Sequence, residues 1–248
     1  MKSPRSWVID LDGTVWRGRC AVPGSAEAIA ELRRRGDHVL FATNHSALTR
    51  AELVEQLHGF NIPARVQDVH SSADAAVLLI HPGESVLVCA TAAVEEAVRR
   101  RGGNATARGP AEAVIVGWHP EFDLDRLTTA VRAVLGGARL VATNDDALRP
   151  APNGFVPGTG ALVAAVETAT GRTAVRAGKP HEPMALLLRP SLGPDVIVVG
   201  DSPHTDGGFA RRLRARFALV LSGVTQAGAF VDPEPDLLGE DLHALVFG

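Results

Sequence analysis

Short apolar runs separated by amphipathic stretches give this chain its reading frame. Trp7-Val8-Ile9 is the first run, and it ends in Asp10-Leu11-Asp12-Gly13-Thr14. Val22-Pro23-Gly24-Ser25 predicts a turn with Ser25 as N-cap. Ala26 to Arg35 then predicts a helix, with Ile29 and Leu32 on one side and Gly36 closing it. His38 to Ala42 is a second strand candidate, running into Thr43-Asn44-His45-Ser46, and Thr49 predicts the cap of a helix through about His58. Strand, helix, strand, helix at these lengths predicts a parallel sheet with right-handed crossovers. Ligands of such sheets bind beyond the carboxyl ends of the strands, where Asp10, Asp12, Thr43 and Asn44 fall.

The alternation continues. Strands are predicted at Ser85–Cys89, Ala113–Gly117 and Arg139–Ala142, and helices at Val94–Arg101, Leu124–Leu135 and Gly160–Thr170. From Ala177 the pattern of the first third returns. Gly178-Lys179-Pro180 precedes a helix near Met184–Leu188, and the strongly apolar strand Asp195–Val199 runs into Gly200-Asp201-Ser202-Pro203-His204-Thr205-Asp206. A helix near Phe209–Arg214 and a strand Phe217–Leu221 follow, closed by Gly223-Val224-Thr225. The fold class predicted is α/β: a Rossmann-like parallel-sheet core from residues 1–70 and 177–248, with a smaller α/β domain, 71–176, inserted between its halves.

The strand ends carry the chemistry. Period-two alternation predicts that Asp10 and Asp12 leave the backbone on one side. Two such carboxylates repel by about 4 kcal/mol at 4 Å and an effective dielectric near 20, so a cation or a proton is expected beside them. Lys179, Asp201 and Asp206 join Asp10, Asp12, Thr43 and Asn44 at plausible strand ends. Several carboxylates beside one lysine, with hydroxyl and amide donors, suggest a hard divalent cation and a bound oxyanion. Magnesium suits that oxygen-rich set. Blander readings compete for each group: Asp-Gly as turn chemistry, Thr43 and Asn44 as a helix cap, Lys179 as a solvated loop residue, and Asp201 as an N-cap.

Composition narrows the class. At 248 residues, 46% hydrophobic and 21% charged, the chain is an ordinary globular protein with length for one large domain or two modest ones. Net charge is −3, and Arg33-Arg34-Arg35, Arg99-Arg100-Arg101 and Arg211-Arg212 sit at predicted helix ends, where they complement the helix dipole. That placement argues against a nucleic-acid groove. Cys20 and Cys89 lie far apart outside any CxxC pattern, which argues against a disulfide framework or structural zinc. With the first strand starting near the N-terminus and no run long enough to cross a bilayer, a cytoplasmic protein without a membrane partner is expected.

DLDGT at 10–14, TN at 43–44, GKP at 178–180 and GDSPHTD at 200–206 resemble, in order, the four motifs of haloacid dehalogenase superfamily phosphatases. DLDGTVWRG with VPGSAEAI at 10–29, VATNDDALRPAPNGFVPGTGAL at 141–162, and LSGVT at 221–225 resemble the NagD-like subgroup, whose cap domain lies between the second and third motifs. The resemblance covers nearly the whole chain. It implies a phosphatase acting on a small phosphorylated metabolite through an aspartyl-phosphate. Asp10 would be nucleophile, Asp12 acid and base, and Lys179 the neutralising cation. Thr43 and Asn44 would bind the phosphoryl group. Magnesium would be held by the Asp10 side chain, the Asp12 carbonyl and Asp201, with Asp206 orienting Lys179 or a metal-bound water. Asn144 and Asp145 of the cap would face the substrate, and NagD-like proteins pair through their caps, which implies a homodimer.

The sequence departs from the family at His45, where a second Asn is common. His45, His119, His181 and His204 read as loop residues, and Trp16 as packing against the cap or sheet edge. Gly158-Thr159-Gly160 does not complete G-x-G-x-x-G, and Gly178-Lys179 lacks Walker spacing. The competing function is a phospho-ligand sensor with little turnover, which intact Asp10, Asp12 and Lys179 argue against. Asp145 and Asp146 are expected to disfavour a second anionic group on the substrate and to favour hydroxyls, as on a sugar or polyol phosphate.

Overall fold

The computed structural model describes residues 4–151 and 154–248. They form two compact units: Met1–Thr43 with Arg50–His70 and Lys179–Gly248, and Asn44–Thr49 with Ser71–Gly178. The hexapeptide 44–49 thus belongs with the inserted stretch, a feature that the boundaries 71–176 do not include.

The first unit is built on a six-stranded sheet, in the order Leu237–Gly239, Arg216–Val220, Val196–Gly200, Ser6–Ile9, His38–Thr43, Val69–Ser71. Ser6–Ile9 lies between Val196–Gly200 and His38–Thr43, parallel to both. Helices cover both faces of such a sheet, which is why Trp7-Val8-Ile9 and Ile197-Val198-Val199 read as continuous apolar runs: all six residues are buried. The central strands direct their carboxyl ends to one edge, and Asp10, Thr43 and Asp201 lie at or just past those ends.

Two expectations for this unit are corrected. Helix Ser25–Arg34 is capped by Gly24 in the left-handed region (φ 76°), where a Cβ would come within 2.7 Å of His243. Ser25 is the first helical residue, and its hydroxyl donates to the Val15 carbonyl (3.2 Å). The strand before the aspartates ends at Ile9, so period-two alternation does not reach Asp12. Past it the backbone winds up: Val15 N and Trp16 N donate to the Leu11 carbonyl and Gly13 N to that of Trp16. A short hairpin, Trp16–Arg17 with Cys20–Ala21, follows.

The second unit has a five-stranded sheet, Val175–Arg176, Arg139–Ala142, Ala113–Val116, Ser85–Cys89, Asn104–Thr106, parallel at each pairing. Helices Leu124–Leu135 and Thr159–Thr170 help cover it over a core that includes Leu87, Cys89, Val114, Val134 and Val166. A separate hairpin pairs Leu148–Ala151 with Gly154–Pro157. The hexapeptide is stitched in by four hydrogen bonds. Ser72 Oγ and Asn144 Nδ2 donate to the Asn44 carbonyl (2.7 and 2.8 Å), Thr143 Oγ1 to Ser46 Oγ (3.1 Å), and Thr91 Oγ1 to the Ala47 carbonyl (3.0 Å).

Candidate active site

The centre of the first unit is Lys179, only 2% exposed, whose ammonium donates to Asp10 Oδ1 (2.5 Å) and Asp206 Oδ1 (2.7 Å). Asp10 follows strand Ser6–Ile9 and is fixed by its backbone N–H on the Val199 carbonyl (2.9 Å). Asp206 lies in a wide, π-type helical turn, Pro203–Gly207, begun by Ser202, whose hydroxyl accepts from Thr205 N. That turn directs the Asp206 carboxylate back onto Ser202 N (3.1 Å) as well as Lys179. π-turns gather at functional sites because they re-aim side chains a regular helix would splay outward.

Asp201 completes the group at the end of Val196–Gly200. Its Oδ2 accepts from Val224 N (2.7 Å), its carbonyl from Thr225 Oγ1 (2.5 Å), and Ser222 Oγ donates to the Gly13 carbonyl (2.7 Å). LSGVT therefore clamps both Asp201 and the loop after Asp12. Gly13, at φ 88°, and Gly223 press against Asp201: a Cβ would come within 2.2 Å and 1.8 Å of its Oδ2. No larger residue fits either position while Asp201 stays in place. Residue chemistry alone missed that Ser222, Val224 and Thr225 hold Asp201 and the Gly13 carbonyl; the family pattern LSGVT was their only signal.

Carboxylate oxygens of Asp10, Asp201 and Asp206 lie within 4.8 Å of one another, all three residues buried. Burial drives the Asp10 carboxyl well above its ordinary range, and the charges of Asp206 and Asp201 push it the same way against the pull of Lys179. Asp201 is pushed up to about 7, chiefly by burial and then by Asp206. Burial alone would lower Lys179, but Asp10 and Asp206 outweigh it and hold the ammonium charged. Three buried carboxyl groups crowd around one cation, and all the donors are oxygens. That set fits Mg²⁺, a hard ion that takes few carboxylates and relieves their repulsion.

The Asp12 carboxylate is not in that group. It turns to Trp16, whose indole Nε1 donates to Asp12 Oδ1 (3.1 Å). Thr43 is buried at the end of its strand. In the second unit, Asn44 Nδ2 donates to Asp146 Oδ1 (3.2 Å), Asp145 pairs with Arg176 (3.8 Å), and Asn144, 3% exposed, spends its amide on the Asn44 carbonyl and Asp146 N. His204 is exposed.

Family models described as haloacid dehalogenase-like hydrolase and HAD-hydrolase-like match residues 7–104 and 176–245. The sugar-phosphatase AraL of Bacillus subtilis is 33% identical over 234 residues, covering 91% of this chain and 86% of its own. The chain belongs to the haloacid dehalogenase superfamily. The D-glycerol 3-phosphate phosphatase of Mycobacterium tuberculosis is 33% identical over 96% of this chain and 70% of its own. Among solved structures, the p-nitrophenyl phosphatase of Archaeoglobus fulgidus superposes with a TM-score of 0.92 at 29% identity, covering 99% of both chains. The glycerol phosphate phosphatase of Mycobacterium tuberculosis in complex with magnesium superposes with a TM-score of 0.90 at 31% identity, covering 98% of this chain and 77% of that one. Within the superfamily this is a NagD-like phosphatase, a magnesium-dependent phosphoric monoester hydrolase. No helix among the described residues is long and apolar enough to cross a membrane.

Proposed function

We propose that Asp10 is the nucleophile of this phosphatase, and the observation that carries this is the buried Lys179 ammonium bridging Asp10 and Asp206. Lys179 pulls against the burial that raises the Asp10 carboxyl, and its hydrogen bond to Oδ1 holds that carboxyl aligned rather than free to turn. A side-chain oxygen of Asp10 attacks phosphorus as the ester bond breaks, giving an aspartyl-phosphate. Asp12 gives the leaving oxygen a proton, then takes one from the water that releases phosphate. Thr43 and Asn44 receive the phosphoryl oxygens, and Lys179 neutralises charge gathering on them. Asp10, Asp201 and the Asp12 carbonyl would hold magnesium, with Asp206 within reach of it and orienting Lys179. Magnesium, when bound, supplies the second positive charge that these carboxylates and the phosphate dianion require.

The 44–49 and 71–178 unit is the cap in this reading, and Asn144, Asp145 and Asp146 are its substrate-side group. Its acidic residues favour hydroxyl-bearing sugar or polyol phosphates over substrates with a second anion; the names of the sugar and glycerol phosphatases among the relatives support that class. A homodimer through the cap and a cytoplasmic setting complete the proposal; unpaired Cys20 and Cys89 support the latter.

Phosphate release from a panel of sugar, polyol, nucleoside and aryl phosphates and phosphoglycolate, with and without magnesium, tests the reading. Turnover should require magnesium and fall at least about a thousandfold in Asp10→Asn, with folding unchanged. Undiminished turnover in that variant would refute the nucleophile, and a kcat/KM for phosphoglycolate above every sugar phosphate would refute the substrate class.

A further inference from the structure

Trp16 is one of three tryptophans and is 2% exposed, yet its only polar atom does not point into the core unpaired. The indole N–H donates to Asp12 Oδ1 at 3.1 Å, four residues back along the wound loop. That loop is rigid where it matters: Trp16 N is bound to the Leu11 carbonyl and the Trp16 carbonyl accepts from Gly13 N (2.7 Å), so the two residues are held by backbone bonds on either side of the Asp12–Trp16 contact. The ring is seated against Phe60, centroids 5.8 Å apart and planes tilted by 42°. A buried indole whose N–H meets a partly exposed carboxylate is a fixed donor that holds one of its two oxygens.

The geometry points to Trp16 as the positioning residue of the acid–base step: its N–H anchors one oxygen of Asp12 and leaves Oδ2 to exchange the proton. This rests on Asp12 being the acid and base. In the first half-reaction the Oδ2 proton passes to the ester oxygen as the P–O bond breaks and the Asp10–phosphorus bond forms. In the second, water attacks phosphorus, its proton returns to Asp12, and the Asp10–phosphorus bond breaks. A carboxylate free to rotate about χ1 and χ2 would spend much of its time off that path. General acid–base catalysis is worth about 10²–10⁴ in rate, and it depends on hydrogen-bond reach at the moment of transfer. The indole does not touch substrate; it acts through Asp12 alone.

The test exploits leaving groups. p-Nitrophenolate departs as a stable anion, whereas an alkoxide needs its proton as it leaves. Because kcat/KM runs only through departure of the leaving group, the later base step does not blur it. In Trp16→Phe, which keeps an aromatic ring against Phe60 but has no N–H, kcat/KM for glycerol phosphate should fall about tenfold while that for p-nitrophenyl phosphate stays within about twofold. Phe60→Leu, which disturbs the packing but keeps the N–H, should change both substrates by the same factor. If Trp16→Phe does not fold, 3-benzothienylalanine at position 16 replaces the N–H by sulfur in a ring of the same shape. Equal losses on both substrates, or no loss on glycerol phosphate, in the variant that folds would overturn the proposal. Asp12→Asn separates the two failures: a steep dependence on leaving group there, with none at position 16, refutes Trp16 alone. No dependence in Asp12→Asn refutes the acid–base assignment itself.

Discussion

At the scale of single residues, the proposed magnesium site makes proton and metal competitors for one cluster of carboxylates. Asp201 rises from 3.8 in the free side chain to about 7 in the fold. Below the lower value both the folded and unfolded chains hold the proton; between the two only the metal-free folded chain does. Its contribution to stability is therefore fully present at low pH and is lost as pH rises through about 7. Magnesium needs the charged carboxylate, so the rise in Tm on adding magnesium should be larger at about pH 8 than at about pH 5.5. Equal shifts, measured by calorimetry at fixed ionic strength, would refute this account of Asp201. The residues of this cluster were visible in the sequence as polar groups ending apolar runs. What was not visible is which carboxylates meet. Alternation paired Asp10 with Asp12, but the strand stops at Ile9 and the Asp12 side chain goes to Trp16, while Asp206 arrives through a π-turn. Neither a strand end nor a π-turn has a period that a sequence pattern could follow.

Secondary-structure elements were legible where burial dictates composition. Ser85–Cys89, Arg139–Ala142 and Leu124–Leu135 occur with the expected limits, because a strand covered on both faces, or a helix with one apolar side, leaves an unmistakable run. The short strands Val69–Ser71, Asn104–Thr106 and Leu237–Gly239 and both hairpins escaped it. Each is two to four residues long, too short for a period to show. Gly158-Thr159-Gly160 has an answer at this scale: a Cβ on Gly158 or Gly160 would come within 2.1 Å of the Asp146 carbonyl or 2.3 Å of the Asp145 carbonyl, so the motif seats a helix start against a turn rather than a phosphate. The LSGVT loop makes a sharper forecast. Gly223→Ala places a methyl on Asp201 Oδ2, and magnesium affinity, read by titration calorimetry, should fall about tenfold or more while strand Arg216–Val220 stays folded. Unchanged affinity would mean that Asp201 does not hold the ion.

For the whole molecule, the chain passes between its two units four times, after Thr43, Thr49, His70 and Gly178. Thr43 and Lys179, both assigned to the phosphoryl group, are the last and first residues of the first unit at two of those passages. The hexapeptide 44–49 matters for anyone who would exchange parts between relatives. A graft that replaces 71–178 alone seats the newcomer on a foreign 44–49, where the residues replacing Ser72, Asn144, Thr91 and Thr143 must find the Asn44 and Ala47 carbonyls and the Ser46 hydroxyl in register. With four such bonds each worth about 1 kcal/mol, that chimaera should melt several degrees below one that carries its own 44–49. Matching melting temperatures would show that the stitch is dispensable. In this protein the transplantable module is discontinuous: two segments separated by a helix that belongs to the recipient, with its first border at the single peptide bond between Thr43 and Asn44.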